Sequence, residues 1–80
     1  MDLNNINKVL QNVTGRDFLA AEREARQQGD TTPSIALSSQ FQIILLARAM
    51  KVPVEELEVL PAKEFVQILG KVSAFLFAQE

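Results

Sequence analysis

The sequence predicts an all-α fold, a small single-domain bundle of three main helices with one short connecting helix. The chain has 80 residues, of which 48% are apolar, so it can form one core. Long segments carry apolar residues at helical spacing, and all three prolines lie at the boundaries between segments. We therefore divide the chain into a lead-in segment, residues 1–13, and a single helical domain, residues 14–80.

For the lead-in segment the sequence is compatible with two conformations, a helix or a short extended piece. Its apolar residues have helical spacing, whereas the asparagines between them disfavour a helix and are compatible with a short extended piece. The apolar residues are Leu3, Ile6, Leu10 and Val13. Propensity and spacing favour different answers here, so both conformations are kept.

The first main helix is predicted over residues 15–28. Thr14 and Asp17 form a capping pair, because the hydroxyl can accept from first-turn amides and the carboxylate faces the positive helix end. Gly29 suits the left-handed residue that closes a helix. The apolar stripe of this helix is thin and consists of Phe18, Ala21 and Ala25. We expect a surface helix whose alanines let it approach a neighbour closely.

The central helix is predicted over residues 34–51, with Pro33 at its start. At 100° per residue its apolar side chains point nearly all round the axis. They are Phe41, Ile43, Ile44, Leu45, Leu46, Ala47 and Met50. A helix of this kind is either surrounded by its own domain or partly covered by another chain.

Two prolines mark the remaining elements. Pro53 ends the central helix and begins a short one over residues 53–58, with Leu57 turned inward. The last helix is predicted over residues 61–78. Its regular apolar stripe consists of Phe65, Ile68, Leu69, Val72, Phe75 and Leu76. Gly70 costs this helix about 1 kcal/mol relative to alanine, which indicates that another backbone passes close by.

The residue types exclude several kinds of chemistry. The chain has no cysteine and no histidine, so it lacks thiolate ligands, disulfides and the commonest general base. Its acidic cluster is Glu55, Glu56 and Glu58, carboxylates that favour the positive end of a short helix. No glycine-rich phosphate loop occurs, and no base lies near Ser38 or Ser39 in sequence. We therefore expect no enzymatic activity, no cofactor and no metal site.

Charge and hydropathy limit the kinds of partner that the sequence predicts. Eight basic and ten acidic residues give a net charge of −2, too balanced to predict a surface for polyanions such as nucleic acids. The longest apolar runs, residues 43–47 and 74–78, are far shorter than the ~20 residues that a membrane-spanning helix needs. The first residues lack the basic and apolar regions of a signal peptide. We expect a cytoplasmic protein without nucleic acid or membrane partners.

A helix-turn-helix provides the alternative function, a transcriptional regulator. Residues 46–57 resemble this motif, with Ala47 at the helix crossing, Val52 in the turn and Leu57 inside the second helix. Lys51 occupies the position where the motif favours glycine for its positive φ. The second helix carries three carboxylates, which oppose binding next to phosphates. We interpret the segment as helix-turn-helix geometry without DNA binding.

Six short segments follow one another in a distinctive order. They are residues 13–18 (VTGRDF), 20–25 (AAEREA), 45–49 (LLARA), 52–57 (VPVEEL), 60–65 (LPAKEF) and 75–76 (FL). In order and spacing they are similar to the small tail assembly chaperones of contractile-tailed bacteriophages and their prophages. The likeness spans residues 10–77 and is strongest over residues 45–65.

The resemblance implies a non-enzymatic role in building a phage tail. Chaperones of this family associate with the tape measure protein, keep its long hydrophobic helices soluble, and help to bring tail tube subunits to it. They leave before the virion is finished. The resemblance thus implies two partners, the tape measure protein and the tail tube protein, in the cytoplasm of the host bacterium.

A chaperone for amphipathic helices needs more apolar surface than its own core consumes. Four residues are candidates for this extra surface, two outside the apolar stripe of the last helix and two on the central helix, which is apolar nearly all round. They are Phe41, Ile44, Val66 and Phe77. We predict that some of them form a partner-binding groove or a self-association surface. The alternative is that other helices of the same domain cover them.

Overall fold

A computed structural model describes residues 3–78, which form five α-helices, one 3-10 turn and no β-strand. The elements are α1 (Leu3–Leu10), α2 (Gly15–Gln27), the 3-10 turn (Ile35–Leu37), α3 (Ser39–Met50), α4 (Val54–Glu58) and α5 (Ala62–Phe77). The all-α class predicted from the sequence is confirmed. The predicted lead-in segment includes residues 1–2 and the predicted helical domain includes residues 79–80, and these four residues lie outside the described ones.

The central helix α3 is surrounded by its own domain. It packs against α1, α2, α4, α5 and the 3-10 turn. Seven consecutive residues of α3, from Phe41 to Ala47, are buried, which is possible only because neighbours cover every side of the helix. Of the two alternatives for a helix that is apolar all round, the structure therefore shows the first.

Gln42 is the one polar residue within that buried stretch, and both the nitrogen and the oxygen of its side-chain amide form a hydrogen bond. The Nε2 group donates to the carbonyl oxygen of Ala36 at 2.9 Å. The Oε1 atom accepts from the hydroxyl of Ser73 at 3.1 Å. These two bonds join the 3-10 turn, α3 and α5. Because an unpaired buried amide is costly, they also limit how the three elements can be arranged.

The start of α3 differs from the prediction. The helix begins at Ser39, and the segment from residue 34 to residue 38 forms the 3-10 turn and an extended cap. Ser38 has extended backbone angles, and its Oγ accepts from the backbone N–H of Phe41 at 3.2 Å. Ser38 therefore caps the helix, and Pro33 does not occupy its first turn.

A hydrogen-bond network around Asp30 holds the loop that precedes α3. The carboxylate accepts from the hydroxyl of Ser38 and from the backbone N–H of Thr32, the latter at 2.9 Å. The guanidinium of Arg26 donates to the carbonyl oxygens of Asp30 at 3.1 Å and Thr32 at 2.6 Å. The Ser38 hydroxyl and then the Thr32 bonds lower the pKa of Asp30 from 3.8 to about 2.

Residues 3–10 of the lead-in segment form a helix, so the described bundle has one helix more than the three main helices and the connector predicted. Ile6 and Leu10 of α1 are fully buried, and the helix packs against α5 and α3. The burial of these two side chains outweighs the weak helix propensity of the neighbouring asparagines. The low helix propensity of the asparagines favoured the extended alternative. Propensity is a local property of the sequence, and it does not include the packing of α1 against α5.

The capping of α2 follows the prediction closely. The hydroxyl of Thr14 accepts from the backbone N–H of Asp17 at 3.3 Å, and the Asp17 carboxylate accepts from the backbone N–H of Thr14 at 3.0 Å. Gly29 follows the helix with φ of 99°. Ala21 and Ala25 are buried, and α2 packs closely against α3. The alanine stripe therefore permits the close approach that we expected.

The segment from α3 to α4 consists of a helix, a short turn and a second helix, in the order that the predicted motif requires. Lys51 adopts the left-handed conformation, with φ of 60° and ψ of 42°, at the position where glycine is favoured. The backbone N–H of Val52 donates to the carbonyl oxygen of Ala47 at 3.1 Å, which closes α3. Leu57 of α4 is buried, as predicted.

The last helix matches its predicted range to within one residue at each end. Ile68 and Val72 are fully buried, so the apolar stripe faces the core. The interpretation of Gly70 is wrong, because this glycine is exposed and a Cβ atom added to it would meet nothing within 4 Å. Within the part of the chain that the structure describes, no backbone passes close to Gly70, so this glycine lowers the helix propensity of α5 without improving the packing of the domain.

We expect Gly70→Ala to raise the free energy of unfolding by about 1 kcal/mol, because alanine favours a helix and has room here. Urea unfolding followed by circular dichroism measures the change. Gly29→Ala is the matched control, since its φ of 99° disfavours any side chain. It should lower the free energy of unfolding by about 1 kcal/mol. Equal effects of the two variants would contradict this account.

A second prediction concerns pH. Because the pKa of Asp30 is lower in the folded state, its carboxylate stabilises the fold above pH 3.8, and this contribution is lost as the pH falls towards 2. Asp30→Asn should therefore flatten the fall in the free energy of unfolding over this range. Ser38→Ala removes the main cause of the shift and should also flatten it. Urea unfolding at several pH values tests both, and an unchanged slope in Asp30→Asn would refute the assignment.

Candidate protein-binding surfaces

The structure separates the four predicted partner-binding residues. Phe41 is 0% exposed and Ile44 is 3% exposed, so both belong to the core that surrounds α3. The ring of Phe41 packs against that of Phe18, with the ring centroids 4.7 Å apart and the planes tilted by 59°. Val66 and Phe77 are 64% and 50% exposed. Phe41 is covered by other helices of the same domain, so the prediction that it lies on a partner-binding surface is wrong.

Val66 and Phe77 lie on one side of α5, because eleven residues make close to three full helical turns. Two small residues, Gly70 and Ala74, stand between them at helical spacing, and both are exposed. We call these four residues the α5 face. It is an exposed apolar strip opposite the buried residues Ile68 and Val72, and the exposed Lys63 lies on the same side, about one turn before Val66.

A second surface lies between α2 and α4, where a groove of about 330 Å³ opens to solvent, and its lining is part polar and part apolar. Ile44 and Ala47 of α3 form its base, and Ala20 and Val54 lie on opposite walls. A neighbouring cavity of about 220 Å³ also contacts Ile44 and Val54, and extends towards α5. We call the two together the α2–α4 groove. Ile44 is thus buried in the bundle but lines this groove.

Carboxylates surround the α2–α4 groove. Glu24, Glu55 and Glu58 line it, all three are exposed, and none forms an ion pair with another residue in the described part of the chain. The one cation that lines the groove, Arg48, has its Nε atom 3.1 Å from a carboxylate oxygen of Asp17. The rim therefore carries an excess of negative charge.

The bond between Asp17 and Arg48 also joins α2 to α3 next to the groove. Asp17 accepts from the Thr14 backbone and from Arg48, and these bonds, the Thr14 bond first, lower the pKa of its carboxyl. At neutral pH the carboxylate is ionised and the guanidinium charge is compensated. Among residues 3–78, no basic side chain forms an ion pair with the three groove glutamates.

The described residues offer no arrangement for metal chemistry. Among residues 3–78, no group of three histidine, cysteine, aspartate or glutamate side chains is placed to hold a metal ion. In the same range no helix is both long and apolar enough to cross a membrane. The α5 face and the α2–α4 groove are two surfaces open to a partner, and Leu19, Leu37 and Val59 are exposed elsewhere on the domain.

No family model, curated protein or solved structure matches this chain. Its function is therefore inferred from the residues and surfaces described above. The sequence prediction missed the α2–α4 groove, because the two walls come from helices that are distant along the chain. The alanines of α2 were the available signal, since small side chains leave space beside a neighbouring helix.

The difference in burial among the four predicted residues leads to a stability test. Phe41→Ala should lower the free energy of unfolding by about 3–5 kcal/mol, because it leaves a cavity in the core, and such a loss will unfold much of a small domain. Val66→Ser should change the same quantity by no more than about 0.5 kcal/mol, because its side chain is exposed. Urea unfolding measures both, and similar losses would place Val66 in the core.

Proposed function

We propose that the protein is a non-enzymatic phage tail assembly chaperone that binds the tape measure protein and assists tail tube assembly in the host bacterial cytoplasm. The observation that carries the proposal is the α5 face, an exposed apolar strip on the outer side of a well-packed helix. Exposed apolar strips of this kind receive the apolar side of a partner helix. The likeness to tail assembly chaperones supplies the identity of that partner.

The energetics of the α5 face suit a temporary complex. Val66 and Phe77 are each at least half exposed, and covering such a side chain contributes on the order of 1–2 kcal/mol. Gly70 and Ala74 add little area, but they allow the backbone of a partner helix to come close. A few contacts of this size, less the cost of association, give binding that can be reversed when the tube assembles.

The alternative, a helix-turn-helix regulator, has the geometry of the turn at Lys51 in its favour. Its chemistry is unfavourable. The would-be recognition helix α4 has five residues, of which Glu55, Glu56 and Glu58 are exposed carboxylates. Phosphate groups would repel them, and the domain as a whole has a net charge of −2. The chaperone proposal therefore takes precedence.

The proposal is tested with the neighbouring genes. We expect a tube or sheath protein and a very long helical protein to be encoded next to this chain, and the long protein to co-purify with it. Val66→Lys combined with Phe77→Ser should reduce the amount recovered by about tenfold, because the α5 face becomes polar. Val59→Ser is the control, since Val59 is 81% exposed but lies outside the α5 face.

Loss of the complex in the control as well as in the double variant would contradict a role for the α5 face, and failure of wild-type protein to co-purify would refute the proposed function. A salt-titrated DNA-binding measurement tests the regulator. Tight binding that weakens steeply with salt would favour that alternative. The chaperone proposal expects no such binding.

A further inference from the structure

The α2–α4 groove combines two properties that define the chemistry of a ligand. Its base is apolar, formed by Ile44 and Ala47, and its walls carry the small or aliphatic side chains of Ala20 and Val54. Its rim is acidic. A ligand that fills it must therefore bring aliphatic side chains for the base and positive charge for the rim.

The acidic residues of the rim lie on both walls of the groove. Glu55 and Glu58 are three residues apart on α4 and both line the groove, whereas Glu56 between them does not. On the opposite wall Glu24 of α2 supplies a third carboxylate. Negative charge therefore stands on both sides of the apolar base, as it would for a helix with cations along both edges of its apolar strip.

We propose that the α2–α4 groove binds an amphipathic helix of another protein, whose apolar strip is flanked by lysine or arginine side chains. The inference deepens the proposed function and rests on it for the helical nature of the partner. It adds a binding site separate from the α5 face and specifies the charge of the partner helix. Small aliphatic side chains of that helix contact Ile44, and its cations pair with the three glutamates.

A second copy of the chain fits this site less well. The widest exposed apolar helix surface described above that a copy could insert is the α5 face, with Val66 and Phe77, and it lies elsewhere on the molecule. Insertion would join different surfaces of the two copies, and such contacts propagate into open chains unless the rotation closes a ring. It would also occupy the surface that carries the proposed function. The occupant is therefore a helix of a different protein.

Two designed amphipathic helices test the site. They share one leucine and alanine face, which is flanked by lysines in the first peptide and by glutamates in the second. Each is titrated into the full-length, ¹⁵N-labelled protein at low salt. The amide shifts from the lysine peptide should be largest around Ala20, Ala47 and Val54. This peptide should bind about tenfold more tightly than the glutamate peptide, with a difference that shrinks as salt is added.

Charge reversal provides the matched variants. Glu55→Lys combined with Glu58→Lys should weaken binding of the lysine peptide about threefold to tenfold, because two favourable pairs become repulsive. Glu56→Lys is the control on the same helix, and should change binding by less than about twofold. Ala20→Leu should weaken both peptides by filling the groove, whereas Ala74→Leu on the α5 face should not. Circular dichroism confirms that each variant is folded.

Several outcomes would overturn the inference. Equal affinity for the two peptides, no binding by either, or the same loss in Glu56→Lys as in the double variant would each do so. Shifts centred on Val66 and Phe77 would also overturn it while leaving the proposed function intact. Concentration-dependent association abolished by the double reversal would make the occupant a second copy. If the peptide binds as expected but the tape measure protein does not co-purify, the proposed function fails and the groove stands.

Discussion

The burial of α3 on all sides is the constraint on which the rest of the structure depends. A helix with no polar face cannot lie on the surface of a domain, so every other helix must contribute cover. The described helices all contact α3. The one polar side chain in its buried stretch, Gln42, bonds to Ala36 and Ser73, on two different neighbouring elements. Apolar burial thus brings the other helices around α3, and the two hydrogen bonds of Gln42 limit how the 3-10 turn and α5 can be placed against it.

This arrangement creates the two candidate surfaces. Because α2 approaches α3 through Ala21 and Ala25, it fills little space beside itself, and the groove towards α4 stays open. Because α5 covers only one side of α3, its own outer side has no partner within the described domain. An 80-residue chain has enough apolar residues for a single core and some to spare. Part of the excess lies on α5, as Val66 and Phe77, and part lies elsewhere on the surface, as Leu19, Leu37 and Val59.

The two surfaces differ in chemistry and therefore in what they can select. The α5 face is uncharged, so it can accept the apolar strip of many helices with little discrimination. The α2–α4 groove is smaller and has an acidic rim, so it discriminates by charge. Together they would let one small domain hold a long hydrophobic helix and still distinguish one kind of partner from another. No reactive side chain is needed for either task.

The sequence by itself determined the helical class, the capping of α2, the short α4 and the range of α5, because capping residues, prolines and apolar spacing act over a few neighbouring residues. Only the tertiary structure decided that α1 is a helix, that Ser38 begins α3, that nothing approaches Gly70, and that Phe41 is buried while Val66 is not. Each of these depends on which surface packs against the residue. Ser38, for example, bonds to Asp30 across a loop. Helical periodicity reveals an apolar side chain, but it contains no information about the neighbour that covers it.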